Sequence, residues 1–300
     1  MKVGIVILGF GKEIEYVVKN CYKMDIPILA YGYEKKNEKE CEEIVCYCKE
    51  NGIQIIKHYS EIVRFNPEFV FMMSYSPLIP KEYIDRYKFV NVHGALVPRY
   101  RGMHGGTWSI INGESEHGYT VHLIDEGIDS GPIFHQGRVV VGVNDNINKV
   151  RELITNLFCN EIMSVISSIY NNEVIPEPQN EEEAIYVCRR KPEDSIIDWN
   201  KNSKDIHNLI RALTPPYTDG AYTFYKGDKL FIEKSSFIER PVYKGINGQV
   251  VAKYKDKGIL IKTGDSVILI EKIKYKGICD VADKFFSTVG ARFYSLPNKN

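Results

Sequence analysis

The chain has 300 residues, enough for one large core or two domains of unequal size. A hydrophobic share of 44% and a charged share of 26% exclude a disordered or low-complexity chain and fit an ordinary globular protein. Lys plus Arg and Asp plus Glu both number 39, and a formal charge of zero argues against a nucleic-acid partner, whose phosphates want a positive field.

The opening run Val3 to Leu8 is apolar but too short to span a bilayer, and no small-residue cleavage pattern follows it. No later stretch reads as a membrane helix, so a cytoplasmic protein with no membrane partner is expected. The seven cysteines are scattered without a second paired cluster, which suits free thiols in a reducing compartment and not a zinc site.

The first ninety residues alternate in a βα rhythm. Val3 to Leu8 reads as a strand covered on both faces. Gly9-Phe10-Gly11 makes a turn, and Ile14, Val17 and Val18 recur at helical spacing. Strands are predicted at Ile26 to Tyr31, Ile53 to Ile56, Phe69 to Met73 and Phe89 to Val92. Between the first two, Glu38 to Glu50 forms a helix that Asn51-Gly52 can end. The order implies a mostly parallel sheet with right-handed crossovers.

A glycine-rich loop then covers residues 94–106, followed by a short helix at Trp108 to Ile111. Strands at Tyr119 to Ile124 and Ile133 to Val141 flank the loop Asp125 to Gly131. A long helix over Ile147 to Tyr170 buries a stripe of Val150, Leu153, Ile154, Leu157, Ile162, Val165 and Ile166. Residues 171–195 read as a polar strap. A domain boundary is placed near residue 200, giving domains at 1–200 and 201–300. In the second, Ser203 is expected to cap a helix that runs through Leu213 and stops at Thr214-Pro215-Pro216. Five short strands follow, at Ala221 to Tyr225, Leu230 to Glu233, Gln249 to Tyr254, Gly258 to Thr263 and Ser266 to Lys272. They predict a small barrel.

Two stretches carry chemistry. Asn91 and His93 stand two apart at a strand end, so both side chains share one face, at the carboxyl edge where open α/β sheets bind ligands. Gly94 leaves room for a ligand. The acidic loop Asp125-Glu126-Gly127-Ile128-Asp129-Ser130-Gly131 presents Asp129 between two glycines. Were that carboxylate to lie near His93, it would set the ring tautomer and favour the protonated ring. Gly9-Phe10-Gly11 invites a dinucleotide fingerprint, but Ile14 stands where the third glycine belongs, so an NAD(P)-dependent oxidoreductase remains only the alternative outside this chemistry. His93, His104, His117, His122 and His135 form no metal-binding spacing, and no metal is expected.

Asn91-Val92-His93 followed by Leu96-Val97-Pro98-Arg99-Tyr100-Arg101-Gly102, with Asp129-Ser130-Gly131 beyond, resembles the formyltransferases that use N10-formyltetrahydrofolate. The resemblance covers nearly the whole chain. It implies an open Rossmann-like α/β sheet carrying a smaller C-terminal OB-like β-barrel, and a catalytic trio of Asn91, His93 and Asp129. It also implies a pterin cradle at Met73, Ser74, Tyr75, Pro77, Gly127, Ile128 and Ser130. The acceptor is then expected against Gly9, Phe10 and Gly11 and against Pro98, Arg99, Tyr100, Arg101 and Gly102, with both arginines as candidates for phosphate. Cys188 to Trp199, Asn112-Gly113-Glu114 and Gly118-Tyr119-Thr120-Val121-His122 are similar to the branch that formylates amino sugars on nucleotides. The tRNA branch usually carries another residue at His122. The expected partner is therefore a UDP- or dTDP-linked 4-amino or 3-amino sugar, with methionyl-tRNA formyltransferase as the alternative. A homodimer is expected on the same resemblance. Whether His93 or Asp129 is the base stays open.

Overall fold

A computed structural model describes residues 3–237 and 242–296. The chain divides into two compact units. The first comprises Met1–Gly105, Gly118–Val139 and Glu152–Val187, and the second comprises Gly106–His117, Val140–Arg151 and Cys188–Asn300.

The first unit is built on β1 (Ile5–Gly9), α1 (Lys12–Cys21), β2 (Ile28–Gly32), α2 (Glu42–Glu50), β3 (Gln54–Ile56), β4 (Val70–Met73), α3 (Lys81–Ile84) and β5 (Phe89–His93). β6 (Arg101–Gly102), β7 (Glu116–Leu123), β8 (Ile133–Val140), α5 (Ile147–Asn171) and β9 (Tyr186–Val187) follow, while the intervening α4 (Gly105–Ile111) falls in the second unit from Gly106 on. Seven strands form one sheet in the order β3-β2-β1-β4-β5-β7-β8. The pairs from β3 through β5 are parallel and β5 meets β7 antiparallel, so the sheet is mixed beyond β5.

Period-two alternation explains the layering. On β1, Ile5 and Ile7 enter one core with Tyr31, Phe71, Val90 and Phe158, while Val6 and Leu8 enter another with Ala30, Met72 and Phe89. A strand buried on both faces needs an unbroken apolar run, which is what the first residues show. Gly9 ends β1 at φ 139°, and a Cβ there would stand 1.8 Å from the Met73 carbonyl oxygen. That glycine is required by the packing of β1 against β4.

Contrary to the expectation that no segment could cross a membrane, α5 is long and apolar enough to do so by length and composition. Its apolarity has a local cause: Phe158, Ile162, Ile166 and Ile169 are at most 1% exposed and belong to the sheet core. The strap after α5 is more structured than a polar linker. β9 pairs parallel with β6, and Ile185 exchanges backbone hydrogen bonds with Pro98 and Arg101.

The second unit holds α6 (Ser203–Ala212), β10 (Ala221–Tyr225), β11 (Asp228–Ser236), β12 (Val250–Tyr254), β13 (Gly258–Lys262), β14 (Val267–Tyr275) and β15 (Ile278–Val281). The cap of α6 is Asn202 and not Ser203; the Asn202 carboxamide oxygen accepts from the Asp205 N–H. Ser203 is the first helical residue, and its N–H goes to Asp265 instead. The sheet order is β10-β11-β14-β13-β12, with β15 on β14. Residues 291–294 bridge the two outer strands: Tyr294 pairs with Phe224 on β10, and Ala291 accepts from Val250 on β12. This closure covers strand edges that would otherwise be open to association, and it makes the sheet barrel-like.

Candidate active site

Asn91 and His93 are the alternate residues of β5 that follow Phe89 on one face. The antiparallel register sets His122 of β7 opposite Asn91 and Thr120 opposite His93. The Asn91 Nδ2 lies 3.3 Å from His122 Nε2, and His122 Nδ1 lies 2.7 Å from the Leu123 carbonyl. That carbonyl can only accept, so Nδ1 carries a proton. Thr120 fixes the loop behind them. Its hydroxyl donates to the Ala95 carbonyl at 2.7 Å and accepts from the Val97 N–H at 3.2 Å.

Asp129 arrives from the loop between β7 and β8. Its Oδ2 is 3.3 Å from His93 Nδ1, its Oδ1 is 3.6 Å from His122 Nε2, and Oδ2 accepts from the Gly102 N–H at 2.8 Å. At 3.6 Å the approach to His122 is an electrostatic contact more than a hydrogen bond. His93 Nε2 meets the Tyr100 carbonyl at 2.9 Å. The His93 and Asp129 side chains are only 11% and 17% exposed.

Burial pushes the His93 imidazole below its ordinary value, further than the Asp129 carboxylate and the Tyr100 carbonyl can restore. Asp129 does favour the protonated ring, as expected, but burial outweighs it. Burial also pushes the Asp129 carboxyl up, but the His122 and His93 rings and the Gly102 N–H together outweigh it and hold the acid below the usual carboxylate range. The Tyr100 carbonyl requires a proton on Nε2 of the neutral His93 ring. The lone pair of Nδ1 then faces a carboxylate oxygen, and this pair is poised to take up one proton.

A cavity of about 420 Å³ opens beside these residues. Asn91, His122 and Asp129 line it, with Met72, Ile79 and Ile124 as apolar wall. Of the expected cradle, Tyr75, Pro77, Gly127 and Ile128 line this space; Met73, Ser74 and Ser130 do not. Ser130 holds the loop instead, donating through its hydroxyl to Asp125 Oδ1 at 2.8 Å. Ser74 sits at a turn with φ 56°. The volume and the mixed lining suit a flat heteroaromatic ligand.

The expected acceptor residues divide differently. Arg101 is 0% exposed, and its fork is occupied by Gln179, Glu181 and Tyr186, so the donors assigned to a phosphate are already spent. Gly102 gives its N–H to Asp129, and a Cβ on it would stand 2.5 Å from the Val187 carbonyl oxygen. Tyr100 is buried and gives its carbonyl to His93. The Pro98 carbonyl accepts from Ile185. Arg99 is exposed, with its guanidinium 5.7 Å from the Tyr100 ring centroid. At Gly9-Phe10-Gly11, the first turn of α1 already carries Glu13 and Glu15, which complement the helix dipole and repel a phosphate. Sequence reasoning left His122 out of the reacting group and gave Gln179 no role, because both depend on contacts between distant segments. Among the described residues no three His, Cys, Asp or Glu side chains gather as a metal site requires.

Residues 34–166 match the formyl transferase family and residues 189–286 match the formyl transferase C-terminal domain. The chain is 32% identical over 220 residues to methionyl-tRNA formyltransferase of Alkaliphilus oremlandii, covering 73% of this chain and 70% of that protein. An N-formyltransferase from Helicobacter canadensis, solved with folinic acid and dTDP-3-aminofucose, shares the fold at a TM-score of 0.67 and 22% identity, over 90% of this chain and 99% of that one. A 4-N formyltransferase from Francisella tularensis shares it at 0.62 and 23%, over 73% and 91%. This chain therefore belongs to the formyl transferase family.

Proposed function

We propose that this formyltransferase moves the formyl group of N10-formyltetrahydrofolate to the primary amine of a nucleotide-linked amino sugar. The observation that carries the reading is the placement of Asn91, His122 and Asp129 on the wall of one cavity, with His93 against the Asp129 carboxylate. The Asn91 carboxamide has two N–H groups. The carboxamide nitrogen lies 3.3 Å from His122 Nε2, and an N–H directed into the cavity donates to the formyl oxygen as negative charge develops there. The attacking amine must lose a proton; the His93–Asp129 pair takes it between Nδ1 and Oδ2 and gives it up to N10 of the departing tetrahydrofolate as the N10–formyl bond breaks, so the two groups titrate together. The apolar wall and the Gly127–Asp129 loop then hold the pterin.

The sugar acceptor is supported by the Gly118-to-His122 pattern and by shared architecture with the Helicobacter canadensis protein, whose structure holds a dTDP-linked amino sugar. A second reading, methionyl-tRNA as acceptor, is favoured by the 32% identity to methionyl-tRNA formyltransferases. It is also favoured by an asymmetry that the balanced total hides. Residues 189–300 carry 21 Lys and Arg against 13 Asp and Glu, and residues 1–188 carry 18 against 26. The test is direct. The protein is incubated with N10-formyltetrahydrofolate and, separately, with dTDP-linked 3-amino sugars, UDP- and dTDP-linked 4-amino sugars and methionyl initiator tRNA. Mass spectrometry reads one added formyl group. Formylation of the tRNA alone overturns the sugar reading.

A further inference from the structure

Asp129 presents its carboxylate from a backbone that most residues avoid. Its φ is 50°, in the left-handed region, where a non-glycine residue persists only if its surroundings hold it there. One side chain supplies much of that hold. Gln179 Nε2 donates to the Asp129 carbonyl at 2.8 Å and to the Gly131 carbonyl at 2.7 Å, on either side of the turn. Gln179 Oε1 accepts from Arg101 Nε at 3.0 Å and Nη2 at 2.8 Å. Two charged donors on the oxygen polarise the carboxamide and strengthen what its nitrogen gives. Arg101 is itself fixed by Glu181, at 2.9 and 2.6 Å, and by the Tyr186 hydroxyl at 2.8 Å. The next residue, Gly102, holds the Asp129 carboxylate. Arg101 and Gln179 thus secure Asp129 at both ends, the backbone through the carboxamide and the side chain through the neighbouring N–H.

We infer that Gln179, polarised by Arg101, is a positioning residue for formyl transfer, setting the register of the 125–131 loop against the 98–102 loop so that Asp129 meets His93. The inference rests on the reading that Asp129 takes part in the reaction. Gln179 lines no part of the cavity, so it acts through Asp129.

Gln179→Ala removes both donations, and Gln179→Glu keeps the acceptor toward Arg101 while replacing the donor with an oxygen. Turnover of N10-formyltetrahydrofolate is measured with dTDP-3-aminofucose and with methionyl initiator tRNA, using whichever the wild type formylates. Both variants lower kcat by about tenfold or more, the cost of a misplaced reacting group, with KM for donor and acceptor within about twofold. The acid limb of the kcat profile moves to higher pH as the loosened loop draws the carboxylate away from the Gly102 N–H. A carbon-13 titration of the Asp129 carboxyl needs no acceptor and reads the same upward movement. It also serves if Gln179→Ala does not fold, because Gln179→Glu preserves shape. Folded variants with wild-type kcat and an unmoved Asp129 titration overturn the inference, as does a loss confined to melting temperature. Asp129→Asn is the control. If it keeps wild-type turnover, the reading of the site itself fails. If it is inactive while the Gln179 variants are normal, only the positioning role fails.

Discussion

His93 Nδ1 stands 3.3 Å from Asp129 Oδ2, although 36 residues separate them in the chain. With Nε2–H given to the Tyr100 carbonyl, the facing atoms of the neutral ring and the carboxylate are two acceptors with room for one proton between them. Burial keeps His93 neutral and its neighbours keep Asp129 ionised, so near neutral pH the pair is empty and ready to receive.

Removing either end of this arrangement affects chemistry before folding. Asn91→Ala lowers kcat by about 10²–10³, the usual cost of one donor to a developing oxyanion. Asp129→Asn keeps the shape and removes the proton acceptor, with a loss at least as large. Circular dichroism and thermal melting of both variants stay close to wild type, and steady-state kinetics gives the comparison. Wild-type turnover in Asn91→Ala would remove it from the mechanism.

The pH dependence has a definite sign. The His93 value is depressed below 6.5 in the folded protein, so a proton binds the unfolded chain more readily. Its contribution to stability is present above pH 6.5 and is lost as pH falls toward the folded value. Buried His207, held by Ser235 at 2.9 Å and also depressed, adds to the same slope. Melting temperature therefore declines as pH drops below 6.5, and the acid limb of kcat/KM lies below 6.5 as well. An acid limb above that value contradicts an empty His93–Asp129 pair.

His122 serves two neighbours. His122→Leu deprives Asn91 of its partner and Asp129 of a group that depresses its carboxyl. The expected result is a fall in kcat of about tenfold or more, together with an acid limb displaced to higher pH. Kinetics over a pH series reads both. A loss of kcat with the limb unmoved separates the two roles and leaves only the Asn91 contact.

Arg101 distinguishes a structural fork from a phosphate contact. Arg101→Leu orphans the Gln179 oxygen and costs roughly 1–3 kcal/mol of stability. Glu181, at 66% side-chain exposure, regains water and adds little to that figure. KM for the acceptor that the wild type formylates stays within about twofold of wild type. A selective rise in that KM, without loss of stability, would return Arg101 to the acceptor.

The alternation of Asn91 and His93 and the βα order of the first ninety residues were legible because period-two and helical patterns act over a few residues. The glycine turns around Asp129 marked a shaped loop for the same reason. His122 was visible as part of a pattern but not as a partner, since only the antiparallel register of β7 sets it opposite Asn91. Arg101 read as a candidate phosphate contact, yet β9 and Gln179, some 80 residues on, draw it inside. From the sequence only the pull of a nearby acid on His93 could be argued, whereas burial, which lowers its value, follows from packing. Sequence alone determined which groups could do chemistry and on which strand or loop they stand. The tertiary structure decided which of them meet and in what charge state, because long-range pairing and desolvation are properties of packed segments that no local spacing encodes.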